Sequence, residues 1–215
     1  MRTVEGKVYH VFNKSIAGFN IFNNDSDFLR IKQALEYYQD DKPAVKLSKF
    51  IQTNHEINPA SREKKLVEII AYCIMPTHFH LILNELSQKG ISTFMGNALN
   101  SYTRYFNIKH NRKGPLWEGR FKKVLVENDE QLLHLTRYVH LNPVTAYLVN
   151  DPLDWSASSY REYVSEPSAQ ERICSYSDFL EIKPESYKKF IAYTISYQRD
   201  LSRIKKLIVE TSPIA

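Results

Sequence analysis

Cysteine is scarce in this sequence, which has only Cys73 and Cys174 among its 215 residues. Two cysteines are too few for a disulfide framework, and Cys73 stands in an apolar segment typical of a buried strand. Long apolar runs are also missing. No stretch approaches the roughly 20 apolar residues of a membrane span, and residues 1–12 lack the apolar core of a signal peptide. These absences predict a soluble protein of a reducing, cytoplasmic compartment.

Acidic residues are nearly absent from one window, residues 101–123, where Glu118 stands against seven lysines and arginines. The window carries +6, so the rest of the chain sums to −1 within a net charge of +5. The whole chain is 43% hydrophobic and 25% charged, as in ordinary globular proteins, and is long enough for one core with an appendage. The excess positive charge of the chain is therefore concentrated in residues 101–123.

This basic window also contains aromatic side chains, among them Trp117. Its basic members are Arg104, Lys109, Arg112, Lys113, Arg120, Lys122 and Lys123. Cationic side chains suit phosphate contacts, and interleaved aromatic rings suit base stacking. The pattern predicts a nucleic-acid-binding patch. The alternative is a solvated helix face followed by a basic loop.

Residues 66–85, LVEIIAYCIMPTHFHLILNE, predict a β-hairpin that organises the rest of the chain. Its first half is almost entirely apolar, and its second half alternates histidines with apolar residues. Pro76 and Thr77 supply the tight turn between the two strands. Such apolar composition indicates that the histidine-bearing strand lies in the interior of its sheet.

Two histidines share one face of this strand. Side chains alternate along a strand, so His78 and His80 point one way while Phe79 and Leu81 point into a core. Adjacent imidazoles need partners, which a divalent cation would supply. Hydrogen-bonded histidines on a half-exposed strand are the alternative. The motif is not the His-Glu-x-x-His of zinc peptidases, so further ligands must come from elsewhere in the chain.

Periodicity predicts the order of the other elements. Residues 7–15 and 121–126 alternate like strands, and residues 25–39 and 91–109 show helical spacing. With the hairpin, the order is strand, helix, strand, strand, helix, strand. That order predicts an α+β fold of the ferredoxin-like split βαβ type, an antiparallel sheet with helices on one face.

The remaining segments divide the chain into two predicted domains. Residues 40–64 lack periodicity and predict an irregular insertion. Residues 176–208 are rich in lysine and tyrosine and predict helix without strands. We therefore divide the chain into a first domain, residues 1–165, and a helical C-terminal module, residues 166–215.

A further helix is predicted from Asp129 to about Leu141, capped by Asn128. The residue before a proline avoids helical backbone angles, so Pro143 predicts a break near Asn142. Asn142 would then be available as the cap of a second short helix.

Four segments, taken in order, resemble a known family. They are MPTHFHLIL at 75–83, GPLWEGRFKKVLVE at 114–127, RYVHLNPVTAYLV at 137–149 and DWSASSY at 154–160. Together they are similar to the single-tyrosine HUH transposases, in the branch of the REP-associated tyrosine transposases. The resemblance covers roughly residues 7–162, and the family has the ferredoxin-like fold predicted above.

The resemblance implies metal-assisted cleavage of single-stranded DNA in hairpin-forming repeats. A tyrosine attacks the scissile phosphate and stays joined to the 5′ end, which frees a 3′ hydroxyl. The resemblance places this nucleophile at Tyr138 and the metal ligands at His78, His80 and Asn142. A phenol has a pKa near 10 and is a poor nucleophile unassisted, so Mg²⁺ or Mn²⁺ is the expected cofactor. Water or His134 is the alternative to Asn142 as a ligand.

The same resemblance gives the basic window a role. The expected DNA contacts are Arg112, Lys113, Trp117, Arg120, Lys122 and Lys123. The expected partner is single-stranded or hairpin DNA, bound by a monomer or homodimer that associates with the nucleoid and not with a membrane.

Two other functions fit parts of the pattern. A derived regulatory protein could bind repeat DNA without cutting it. A metal-dependent phosphodiesterase would release a free 5′ phosphate and would not need Tyr138.

Overall fold

The sheet has four strands: β1 (Lys7–Lys14), β2 (Val67–Met75), β3 (His78–Glu85) and β4 (Lys122–Leu125). They lie in the order β2-β3-β1-β4, and every neighbouring pair is antiparallel. The computed structural model describes residues 6–41, 43, 45–53, 64–165 and 172–195. The predicted hairpin and the predicted ferredoxin-like order are both confirmed.

Helices cover both faces of this sheet. In the described residues they are α1 (Asp25–Tyr37), α2 (Leu47–Gln52), α3 (Gly90–Lys109), α4 (Asp129–Thr145), α5 (Tyr160–Val164) and α6 (Pro184–Ala192). Helices α1 and α3 pack against each other, and α4 packs on β2 and β3. None of these helices is both long and apolar enough to cross a lipid bilayer.

An aromatic core fills the space between β3 and the helices α1 and α3. Phe79 is buried on this face of β3, and its ring lies 5.5 Å from that of Trp117. Trp117 also contacts Phe22, which packs 4.8 Å from Tyr102 of α3. As predicted, the alternation along β3 sends Phe79 into this core and leaves the histidines on the opposite face.

The outer edge of β2 is covered by the segment DWSASSY. The backbone N–H of Ile74 donates to the carbonyl of Ala157, and the N–H of Ser159 donates to the carbonyl of Tyr72, both at 2.9 Å. The indole of Trp155 donates to the carbonyl of Ile74 at 2.9 Å. These bonds satisfy backbone groups that an exposed edge strand would leave unpaired.

Helix α4 begins as predicted but ends later. The side chain of Asn128 accepts a hydrogen bond from the N–H of Gln131 at 2.8 Å, which is the expected N-cap. The predicted break near Asn142 is wrong, because α4 continues through Pro143 to Thr145. Pro143 removes one backbone donor, yet Val144 beside it is fully buried. Tertiary packing outweighs that loss, so Asn142 is an interior helical residue and not a cap.

Part of the predicted irregular insertion, residues 40–64, is ordered. Its residues 47–52 form α2, and Leu47 is fully buried in the core. Asp40 and Lys65 form an antiparallel bridge at the base of the segment. The prediction therefore does not hold for α2, which is too short to show a helical period. Residues 54–63 lie outside the described residues.

The C-terminal residues 172–195 pack against the first domain. Helix α6 contacts α4 and α5, and Tyr187 is fully buried. The carboxylate of Glu162 in α5 accepts hydrogen bonds from the N–H groups of Ile173 and Cys174, at 3.0 and 2.9 Å. Of the helix predicted over residues 176–208, α6 forms the part Pro184–Ala192, whereas residues 179–183 are not helical and residues 196–208 lie outside the described residues. The division at residue 165 remains a prediction.

His140 anchors α4 to both of its neighbours. Its Nδ1 lies 2.7 Å from the Tyr187 hydroxyl in α6, and its Nε2 lies 2.8 Å from the Ser159 hydroxyl at the covered edge of β2. The ring is fully buried, and this burial lowers the pKa of His140 to about 3. The imidazole is therefore neutral in the folded protein throughout the usual pH range.

This anchor predicts acid sensitivity. Below pH 6.5 the unfolded chain protonates His140 while the folded protein does not, so stability is lost as the pH falls toward 3. The loss is about 1.4 kcal/mol per pH unit well below pH 6.5. We expect His140→Gln to remove this contribution, so its free energy of unfolding should depend less on pH than that of the unmodified protein.

The measurement is urea unfolding at several pH values from 4.5 to 7. His110→Gln is the matched control, since His110 lies exposed at the end of α3. It should leave the pH dependence unchanged. Equal pH dependence in His140→Gln and the unmodified protein would contradict the neutral buried anchor.

Candidate active site

Three histidines gather on the face of the sheet that α4 crosses. The register of β1 and β3 sets Phe12 opposite His80 and Lys14 opposite His78, which places His10 diagonally beside His80. The Nε2 of His10 lies 3.0 Å from the Nδ1 of His80. The rings of His78 and His80 stand perpendicular, with centroids 5.2 Å apart. Two of these histidines were predicted together, and His10 completes the cluster.

Hydrogen bonding leaves the same nitrogen available on His78 and His80. The Nδ1 of His78 lies 3.0 Å from the Thr77 hydroxyl, and the Nδ1 of His80 is held by His10. In protein metal sites, a ligating histidine usually has its second nitrogen fixed by such a partner. Both Nε2 atoms are therefore the ones available to a cation.

Burial keeps these imidazoles neutral. It lowers the pKa of His10 to about 4 and also lowers the pKa of His78. It lowers the pKa of His80 to about 3, and the neighbouring His10 and His78 act in the same direction. A neutral imidazole keeps the lone pair that binds a metal.

Tyr138 extends from α4 onto the histidine cluster. Its ring meets that of His80 edge-on, with centroids 5.4 Å apart, and that of His10 at 6.1 Å. It remains 47% exposed, so a substrate can reach it from solvent. Burial of the rest of the ring raises the pKa of Tyr138. The phenol is protonated at neutral pH.

Asn142 lies one turn after Tyr138 on the same continuous helix. Its Nδ2 donates to the backbone carbonyl of Tyr138 at 2.8 Å, so Oδ1 is the atom of this side chain suited to a cation. In the described part of the chain, no group of three or more His, Cys, Asp or Glu side chains could hold a metal ion. A metal would therefore rest on the Nε2 atoms of His78 and His80, with Asn142 or water completing the set. These are suitable donors for a divalent cation.

A cleft of about 520 Å³ opens beside the histidines. His78, His80, Arg120 and Lys122 line it. Glu118 and Lys14 line it as well and form an ion pair at 2.9 Å. Two cationic side chains therefore lie beside the histidine cluster, where they can contact an anionic substrate.

The other predicted DNA contacts lie elsewhere. The guanidinium of Arg112 donates to Asn107 and to the carbonyl of Pro115, at 3.0 and 2.8 Å, and so braces its own loop. Lys113 is exposed in that loop. The indole of Trp117 belongs to the aromatic core and donates to the Thr103 hydroxyl at 3.0 Å.

Lys122 and Lys123 occupy opposite faces of β4. Lys122 pairs with Phe12, whereas Lys123 pairs with Val11 on the core side of the sheet. The ammonium of Lys123 lies 4.5 Å from the centroid of the Tyr9 ring and 3.6 Å from the Glu85 carboxylate. The structure therefore brings together His78, His80, Tyr138, Asn142, Arg120 and Lys122, and their roles remain predictions.

Sequence reasoning missed His10. Alternation along β1 already placed it opposite Val11, but its contact with His80 depends on the pairing of strands 70 residues apart. The alternative ligand His134 lies away from the cluster, because its ring contacts Arg137 and the Phe190 ring of α6.

Comparisons with known proteins show what this chain is similar to. Residues 40–142 match the family model described as IS200-like transposase. A Haemophilus influenzae protein with a provisional assignment as a REP-associated tyrosine transposase is 29% identical over 108 residues, 45% of this chain and 61% of that protein. The match thus spans less than two thirds of that relative.

A solved structure has a similar fold. It is that of a REP-associated tyrosine transposase bound to a REP hairpin, and it superposes with a TM-score of 0.52 at 19% identity. The superposition covers 80% of this chain and 95% of that chain. At this identity the likeness establishes the fold alone, and it agrees with the α+β architecture described above.

Proposed function

We propose that this chain, which is similar to the REP-associated tyrosine transposases, cleaves and rejoins single-stranded DNA next to hairpins. The observation that carries the proposal is the position of Tyr138, whose ring lies against His80 and His10 on the face where the cleft opens. A hydroxyl nucleophile, two candidate metal ligands and two cationic side chains meet in one place. The fold neighbour is a transposase bound to a REP hairpin, which supports the choice of hairpin DNA.

The proposed step is a transesterification. The Tyr138 oxygen forms a bond to phosphorus, and the bond from phosphorus to the 3′ oxygen breaks. The phenol proton passes, directly or through water, to the departing 3′ oxygen, which becomes the 3′ hydroxyl. The 5′ end remains on Tyr138 as a phosphotyrosine. The reverse step rejoins the strand without an external energy source because the number of phosphoester bonds is conserved.

The chain's own residues prepare this step. His10 holds the Nδ1 of His80, and Thr77 holds that of His78, which orients both rings. The Asn142 Nδ2 donates to the backbone carbonyl of Tyr138, which holds the Asn142 side chain one turn from the nucleophile. Arg120 and Lys122 can hold the phosphates that flank the scissile bond. Mg²⁺ or Mn²⁺ on His78, His80 and Asn142 would supply charge stabilisation of the phosphate and of the leaving oxygen.

Removing the Tyr138 hydroxyl tests the proposal. We expect Tyr138→Phe to abolish covalent attachment to DNA but to keep DNA affinity within a few-fold, because the nucleophile is lost and few phosphate contacts change. The assay is a denaturing gel after incubation of the protein with Mn²⁺ and a DNA hairpin that carries a single-stranded flank.

Tyr147→Phe is the matched control, since Tyr147 is 42% exposed just beyond the end of α4. It should retain the covalent band. A retained band in Tyr138→Phe would reject the assignment of the nucleophile. Cleavage without a covalent band would indicate a phosphodiesterase, and binding without cleavage would indicate a regulatory DNA-binding protein.

The metal proposal is tested at Asn142. We expect Asn142→Ala to weaken Mn²⁺ binding by about tenfold or more, since it removes one of three protein donors. Calorimetry gives the affinity, and thermal unfolding separates it from the loss of about 1 kcal/mol expected for the hydrogen bond to the Tyr138 carbonyl.

His134→Ala serves as the control on the same helix, and it should bind Mn²⁺ normally because His134 faces Arg137 and Phe190. Unchanged Mn²⁺ affinity in Asn142→Ala would reject its role as a ligand. Weaker binding in His134→Ala alone would move the ligand to that residue.

The two lysines of β4 test where the DNA lies. Neutralising a residue that contacts a phosphate lowers the slope of log affinity against log salt by about one. We expect this change for Lys122→Ala, which borders the histidine cleft, and a smaller change for Lys123→Ala, which is held by Tyr9 and Glu85 on the other face.

Salt titration of single-stranded DNA binding to both variants provides the measurement. The two single variants have the same net charge, so long-range effects cancel in the comparison. Equal slopes for Lys122→Ala and the unmodified protein would place the DNA outside the cleft.

A further inference from the structure

A second groove lies on the side of the sheet that α1 and α3 cover, away from the histidines. Its volume is about 450 Å³, and it is formed by α1, α3 and the start of α2. Its lining is mostly basic and polar and includes Arg30, Lys46, Asn97, Asn100, Arg104 and Lys109. Arg104 and Lys109 belong to the basic window predicted to bind nucleic acid, but neither was among the individual DNA contacts expected within it.

The groove is strongly cationic. Four of its lining residues are basic and none of them is acidic. Lys109 forms an ion pair with Asp27 at 2.7 Å. The other three, Arg30, Lys46 and Arg104, form no ion pair within the described residues. The basic window of the sequence is therefore divided between two faces of the molecule.

Helix α3 gives this groove a polar wall. Asn97, Asn100, Ser101 and Arg104 follow at intervals of three and four residues, so they line one side of the helix. The 20 residues of α3 include no aspartate or glutamate. Amide, hydroxyl and guanidinium groups are the ones that contact phosphates and base edges in DNA complexes.

Arg30 contributes a buried donor. Its Nε is buried and has no hydrogen-bond partner in the described structure. Its guanidinium lies 5.5 Å from the centroid of the Tyr105 ring. Arg30 therefore adds positive charge to the groove, and the lining of the groove supplies no acidic partner for it.

The aromatic side chains of the groove argue against binding of single-stranded nucleic acid. Sites for single-stranded nucleic acid present exposed rings on which bases stack. Here the Tyr105 ring lies under Arg30 and Lys109, and its hydroxyl is within hydrogen-bond distance of Asp27 at 3.1 Å. Tyr38 is only partly exposed and packs edge-on against Tyr37. The groove offers charge and hydrogen bonds, which suit a duplex backbone.

We propose that this groove binds double-stranded DNA through its phosphates, while the cleft at His78 and His80 takes a single strand. The assignment of a single strand to the cleft rests on the proposed function, whereas binding of a duplex in the groove does not. The duplex is either the stem of the substrate hairpin or a separate DNA segment.

Charge reversal in the groove tests this inference. The variant is Lys46→Glu with Arg104→Glu, both exposed. The control is Lys183→Glu with Lys188→Glu, which changes the net charge by the same amount. Both lysines are exposed, Lys183 immediately before α6 and Lys188 within it. Fluorescence anisotropy measures binding of three probes across salt concentrations: a blunt duplex of about 20 base pairs, an unstructured single strand, and a hairpin with a single-stranded flank.

We expect the groove variant to lose duplex affinity by roughly 10- to 100-fold relative to the control at about 0.1 M salt, with the salt slope lower by about two. Its affinity for the single strand and its covalent yield on that strand should stay within a few-fold. Duplex affinity equal to that of the control would overturn the inference. An equal loss on duplex and single strand would also overturn it, because the groove would then not discriminate.

The remaining outcomes separate the two proposals. If the unmodified protein forms no covalent product with any probe, the proposed cleavage fails, yet the duplex measurement still decides the groove. A hairpin bound more tightly than the blunt duplex identifies the stem as occupant, through the effective concentration gained by joining two sites. Equal affinity for both identifies a separate duplex, and either result supports the groove.

Discussion

The candidate site depends on where α4 is held against the sheet. His140 fixes that helix from two directions, through Tyr187 in α6 and through Ser159 at the covered edge of β2. Because Tyr138 precedes His140 by two residues, the two side chains leave the helix on nearly opposite sides. Burying His140 therefore turns Tyr138 toward His80. Residues 172–195 and the segment DWSASSY contribute to the site through this anchor, although none of these described residues belongs to the histidine cluster.

Much of the site could be predicted from local patterns. Alternation along β3 put His78 and His80 on one face, and the Asn128 cap marked the start of α4, because both depend on neighbours in sequence. The continuity of α4 through Pro143 could not be predicted, since it depends on burial of Val144 among distant residues. At this position, tertiary packing outweighs the tendency of proline to end a helix.

In the basic window, residues 101–123, the sequence likewise does not show on which face of the protein each charge lies. Sequence treats Lys122 and Lys123 as neighbours, but pairing with β1 sends one toward the histidines and the other toward Tyr9. Arg104 and Lys109 lie farther away, on α3 in the second groove. Charge density along the chain predicted an affinity for anions, while the folded surface divides that charge into two regions.

Under the proposed function, the charge of the site affects how the binding of a divalent cation and the binding of DNA depend on each other. His10, His78, His80 and Asn142 are uncharged at neutral pH, and Tyr138 is protonated, so the protein donors give a divalent cation no compensating negative charge. Hard cations prefer anionic oxygen ligands, and a DNA phosphate in the cleft would provide them. The metal and the DNA would then each raise the affinity of the other by the same factor. Binding of DNA would assemble the complete site, which would keep the nucleophile unreactive until a strand lies beside it.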